Sequence, residues 1–143
     1  MISPRASLIT LGASLLLLST AGAETSAYST VKSARQFAIG GIGFAGVISK
    51  EELALRAIQD GPRAEEQLRK LLRDGTPAGQ MYALFGLRQI AVADYAELAE
   101  PYRRNSKSVG RISGCNVYTE SMSDVVRWID QSARKLKTRE KKT

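Results

Sequence analysis

Three sets of residues have types that could do chemistry. The first is Gly41-Ile-Gly-Phe-Ala-Gly46, which spells G-x-G-x-x-G. That pattern cradles a pyrophosphate when a strand delivers it and a helix opens at once behind it. Here the first helix signal comes later, at Ser49, and no βαβ pattern surrounds the glycines. They read instead as an apolar connector whose backbone packs closely against helices. A third reading is interfacial insertion into a membrane, although the stretch lacks the basic face such segments carry.

The second is Cys115, between Gly114 and Asn116. A nucleophilic thiol needs a cation, a metal or a helix N-terminus to depress its pKa. Arg111 is the nearest base in sequence, and the chain has no histidine to act as a partner. Burial as a small hydrophobe is expected, with an intermolecular disulfide as the alternative. The third set is acidic. Glu51/Glu52 and Glu65/Glu66 are sequence neighbours, so on helices they splay about 100° apart and do not face one substrate. Asp94, Glu97, Glu100, Asp124 and Asp130 are scattered over helix starts and faces. With no histidine and one cysteine, imidazole relays, His-ligated metals and thiolate zinc sites are all excluded. No catalytic, cofactor-binding or metal-binding residue is assigned, and the expectation is that the protein is not an enzyme.

The elements that carry these residues are written in the punctuation. Residues 1–23 have a basic start (Arg5), an apolar stretch and Ala21-Gly22-Ala23, the grammar of a cleaved signal peptide. The apolar stretch is shorter than the roughly 20 residues that span a bilayer. Export to the periplasm or beyond is expected, with a mature chain from Glu24. Residues 24–36 form a loose leader or one weak helix, with Ala27, Val31, Ala34 and Ala38 at approximate helical spacing.

Ser49-Lys-Glu-Glu52 is a capping box, opening a helix with Leu53, Ala54, Ala57 and Ile58 on one face, ending near Gly61. Behind Pro62 a second helix buries Ala64, Leu68, Leu71 and Leu72 and stops at Asp74-Gly75. Thr76-Pro77 caps a third, Ala78 to about Ile90, with Met81, Leu84, Phe85 and Leu87 as its large apolar residues. Asp94 caps a fourth through Tyr95, Leu98 and Ala99, and Pro101 ends or kinks it. Tyr82, Phe85, Tyr95 and Tyr102 are core residues by default. Val109, Ile112, Val117 and Tyr118 favour a short strand or ordered loop near 108–119. A last helix starts at a Ser121 or Ser123 cap and buries Val125, Val126, Ile129, Ala133 and Leu136, with Trp128 at the edge.

The expected architecture is therefore mostly α: a bundle of antiparallel helix pairs in one domain, 24–133, with a basic tail at 134–143. Residues 77–102 have the look of a HEAT-like helix pair. The net charge of +7 is concentrated in that tail, at Arg134, Lys135, Lys137, Arg139, Lys141 and Lys142. The body is close to neutral, so no nucleic-acid surface is implied. The tail is either a solubilising end or a contact with an anionic membrane or lipopolysaccharide.

FAIGGIGFAGVIS (37–49), PAGQMYALFGL (77–87) and GCNV (114–117) together resemble a group of small exported bacterial proteins, some named for microcin gene neighbourhoods. The resemblance implies an accessory envelope protein and brings no residue role with it. The expected function is non-catalytic, through contact with a protein partner of unknown identity. A membrane-active or bacteriocin-associated factor is the alternative, and an enzyme comes last.

Overall fold

Helix Pro77–Gln89 occupies the centre of the molecule, and its sequence explains why. Met81, Leu84, Phe85 and Leu87 surround small Ala78, Gly79, Ala83 and Gly86, so neighbours approach from every side; all eight are buried. The computed structural model describes residues 18–140, with side chains described for 22–132. In chain order the elements are α1 (Leu18–Lys32), β1 (Gln36–Ile42), α2 (Lys50–Asp60), α3 (Ala64–Asp74), α4 (Pro77–Gln89), α5 (Tyr95–Arg103), β2 (Ser108–Gly114), β3 (Asn116–Ser121) and α6 (Met122–Glu140).

The caps act largely as their residue types require. The Ser49 hydroxyl accepts from the Glu52 amide at 3.1 Å, and the Thr76 hydroxyl accepts from Gly79 at 3.1 Å with Pro77 behind it. Ser121 accepts from the Asp124 amide at 3.2 Å and opens α6. Asp94 flanks α5 but caps nothing with its side chain; its carboxylate is held by Arg69. Pro101 neither ends nor breaks α5, which runs on to Arg103.

Three strands form one sheet in the order β1-β2-β3. β1 runs parallel to β2, with Ala38 opposite Ile112, and β2 turns back antiparallel into β3, with Ile112 opposite Val117. A parallel neighbour requires a long crossover, and α2 to α5 supply it. The expectation of a mostly helical chain fits in part: among the described residues six helices accompany a three-stranded sheet, so the fold is mixed α/β. The sheet is larger than a short strand or ordered loop near 108–119, because 37–42 is a strand rather than a connector. Ala38 belongs to that strand and not to the first helix.

Strand alternation separates two faces of the sheet. Phe37, Val109, Arg111 and Tyr118 face the helices. Phe37 packs on Tyr82 and Trp128 at centroid distances of 5.0 and 5.8 Å. The Arg111 guanidinium lies 4.9 Å from the Tyr118 ring and 5.8 Å from Trp128. Gln36, Ala38, Ile112 and Val117 share the opposite face. Of these Ala38 is buried, Ile112 half-buried, and Gln36 and Val117 exposed.

The expected signal peptide lies outside the described residues up to 17, and Leu18–Ala23 form the start of α1. Backbone 134–140 continues as α6. Residues 141–143 lie outside the described residues, and so do all the side chains of the basic tail and those of Ala133 and Leu136.

Candidate functional site

The sheet has two outer edges, and they differ in chemistry. On the outer side of β1, the Ala38 amide donates to the Tyr82 hydroxyl at 2.9 Å, and that hydroxyl donates to the Ala38 carbonyl at 3.0 Å. Two residues on, the Gly40 amide donates to the Glu52 carboxylate at 2.7 Å. Side chains from α4 and α2 thus replace a fourth strand. Burial raises the Tyr82 pKa above its ordinary value, against the lowering effect of its hydrogen bond with Ser49. Its hydroxyl stays protonated and committed to Ala38.

β3 has no such cover. Among the described residues no hydrogen bond reaches its outward backbone groups, while Val117 is 65% and Tyr118 39% exposed. An edge strand of this kind is a template for pairing with another chain. Its register is held from behind: Arg111 on β2 forks onto Glu120, Nε to Oε2 at 2.7 Å and Nη2 to Oε1 at 2.9 Å.

The glycine motif is delivered by a strand after all, which sequence reasoning missed. It still forms no phosphate cradle, because α2 opens only at Lys50 and the Ile42, Gly43 and Gly46 amides are taken by backbone carbonyls. Ile42 and Val47 exchange hydrogen bonds at 2.9 and 3.0 Å, Gly43 donates to the Gly114 carbonyl at 2.8 Å, and Gly46 donates to Gly43. A Cβ on Gly41 would stand 2.9 Å from the Gly46 carbonyl oxygen, so the hairpin closes tightly only with glycine there. Phe44 projects from its tip fully exposed. The glycines serve a tight hairpin and not an apolar connector packed on helices.

Cys115 is exposed, which corrects the expectation of burial. It occupies the two-residue turn between β2 and β3, after Gly114 at φ +57°. Tight turns of this kind favour glycine first and place the second side chain in solvent.

Of the acidic candidates, Asp94 and Asp130 are held in ion pairs that fasten elements together. Asp94 takes the Arg69 fork at 2.7 and 2.9 Å, and Arg69 also reaches Glu65. That hydrogen bond holds the Asp94 carboxyl below its ordinary range. Asp130 accepts from Arg103 and from the Tyr95 hydroxyl, and burial carries Tyr95 well above its ordinary value. Glu52 is the one charged residue in the described core. It faces Gly40 and Arg56 rather than Glu51. Among the described residues no group of three acidic, His or Cys side chains is placed to hold a metal. No helix among them is long and apolar enough to cross a membrane.

A cleft of about 660 Å³ opens beside the outer edge of β1. Its walls are the last turn of α1 with Arg35, and the start of α2 from Ser49 to Glu51; Ala38, Ile42 and Ile112 form its floor and Tyr82 its back. Thr30 and Ser33 in the wall donate to carbonyls of their own helix. The Ser49 and Tyr82 oxygens stand 3.4 Å apart. The sequence reading passed over this cleft, which joins residues of α1, β1, α2, α4 and β2. Comparison of the chain with protein-family models, curated proteins and solved structures returned no match.

Proposed function

We propose that this is a small exported protein of the bacterial envelope that acts without catalysis, through a protein–protein contact at the open side of its sheet. One observation carries the reading. The β1 edge is occupied by Tyr82 and Glu52, while among the described residues no hydrogen bond reaches the outward backbone groups of the β3 edge, beside exposed Val117 and Tyr118. A partner strand would supply main-chain hydrogen bonds there and cover both side chains. The signal-peptide grammar of residues 1–23 and the resemblance to small exported bacterial proteins supply the location. Glu24, held by Arg63 at 2.9 Å, is tied to the body, whereas Gly22 and Ala23 are exposed. Cleavage before Glu24 would leave that tie intact.

The scaffold role falls to the α4–α5 pair, which we retain as a HEAT-like unit on the strength of its short turn and its Tyr-Ala-Leu-x-Gly-Leu helix. Crosslinking in intact cells followed by pull-down of tagged protein tests the proposal. One dominant partner is expected, lost on Val117→Asp; a capture pattern unchanged by that substitution would count against the β3 edge.

Phe44 favours a second reading. Fully exposed at a hairpin tip with Val47 60% exposed behind it, it is placed to enter a bilayer surface, as a membrane-active or bacteriocin-associated factor would. Dye leakage from vesicles that disappears in Phe44→Asp would support that reading over the first. Either reading accommodates a tail contact with an anionic membrane or lipopolysaccharide. Such a contact predicts salt-sensitive co-sedimentation with anionic vesicles. Equal binding by a chain ending at Ala133 would remove the tail from the account. Catalysis through Cys115 or the carboxylates ranks below both, with the thiol on a hairpin turn and Asp94 and Asp130 in ion pairs.

A further inference from the structure

We propose that the cleft beside β1 receives an extended acidic segment of the partner, a reading that rests on the protein–protein contact proposed above. The cleft lies in the size range of ligand sites, and its lining carries two cations, Arg35 and Lys50, against one carboxylate, Glu51. Arg35 has no ion pair among the described residues. Lys50 reaches only its neighbour Glu51, at the limiting distance of 4.0 Å, and is 82% exposed. The nearest buried carboxylate, Glu52, is already taken by Gly40 and Arg56. A guanidinium and an ammonium on one rim suit a carboxylate, which the Arg35 fork can grip in two places.

The floor explains why the carboxylate would belong to a chain rather than to a free anion. Ala38, Ile112 and Val117 stand side by side on one face of three adjacent strands. They make an aliphatic strip about 10 Å across, buried at Ala38 in the cleft floor, half-buried at Ile112 and open at Val117 on the β3 edge. An extended chain crossing that strip places alternate apolar side chains on it while an acidic residue enters between Arg35 and Lys50.

The test is an amide NMR titration of the purified protein with acetyl-Glu-Val-Glu-Val-Glu-amide, with its Gln-for-Glu counterpart and with inorganic phosphate. The proposal expects shifts at Arg35, Ser49, Lys50 and Ile112 with the acidic peptide only. It expects affinity weakened roughly tenfold or more in Arg35→Gln/Lys50→Gln, with an unchanged thermal midpoint because both side chains are on the surface. Equal shifts with the neutral peptide, or shifts produced as well by phosphate alone, would overturn it. So would the absence of any shift at these four residues. Shifts at Val117 and Thr119 without them would sink the acidic-segment proposal and leave the β3 contact standing.

Discussion

The Tyr82 hydroxyl is hydrogen-bonded to both backbone groups of Ala38, accepting at 2.9 Å and donating at 3.0 Å. A side chain from the central helix thereby does what a neighbouring strand would do. It closes one edge of a small sheet, while among the described residues no hydrogen bond closes the other. Tyr82 is fully buried, so the arrangement is also part of the core.

Tyr82→Phe keeps the ring against Phe37 and removes only the hydroxyl. It leaves the Ala38 N–H and C=O without their partner, which costs about 1–3 kcal/mol. Urea unfolding is expected to show a lower midpoint with an unchanged slope. A loss below about 0.5 kcal/mol would mean that water takes the place of the hydroxyl.

Gly79→Ala tests the junction of α1 and α4. An added Cβ would stand 2.6 Å from the Val31 carbonyl oxygen and 3.2 Å from that of Lys32. Both are backbone atoms held by further bonds: the Val31 carbonyl accepts from the Ala34 amide and the Lys32 carbonyl from the Thr76 amide. The helix-propensity gain of roughly 1 kcal/mol is expected to be outweighed. The net loss should be about 1–3 kcal/mol, read as a fall in thermal midpoint. A stabilised variant would show that α1 does not pack here.

Asp94 supplies a pH test. Its folded pKa is depressed below the ordinary 3.8 by the Arg69 hydrogen bond. A depressed carboxylate contributes stability above its unfolded pKa, and the contribution is lost as pH falls through the folded value. Stability should therefore decline below about pH 4, and Asp94→Asn should flatten that decline. An identical acid profile in the variant would show that the Arg69 contact is fully screened by solvent.

Cys115 is expected to react with a thiol reagent in the native protein at a rate within about tenfold of the unfolded chain, as its exposed turn position requires. Labelling that waits for denaturant would place a cover over the β2–β3 turn.

The helices were legible because their stops and starts are local. Thr76-Pro77, Asp74-Gly75 and Ser49 each act within one turn of chain. The buried face of α2 was misassigned. Leu55 and Glu52 face inward with Ile58, Leu53 is 54% exposed and Ala57 is exposed, because Glu52 is drawn in by the Gly40 amide. β1 was hidden for a different reason. Gly40 and Gly41 give a strand no propensity, and what makes 36–42 extended is pairing with Gly110–Gly114, beyond four helices. Cys115 followed from the same omission: once the hairpin is formed, its turn points outward. The site suffered most, since the edge asymmetry exists only after Tyr82, Glu52 and β1 have been brought together.

Site-specific photo-crosslinking in intact cells tests the central claim most directly, with the crosslinker placed in turn at Val117, at Tyr118 and at exposed Arg127 on α6. The account predicts one dominant protein adduct from Val117 and Tyr118 and none from Arg127. Adducts of equal yield from all three positions, or lipid adducts alone, would contradict a protein contact at the β3 edge.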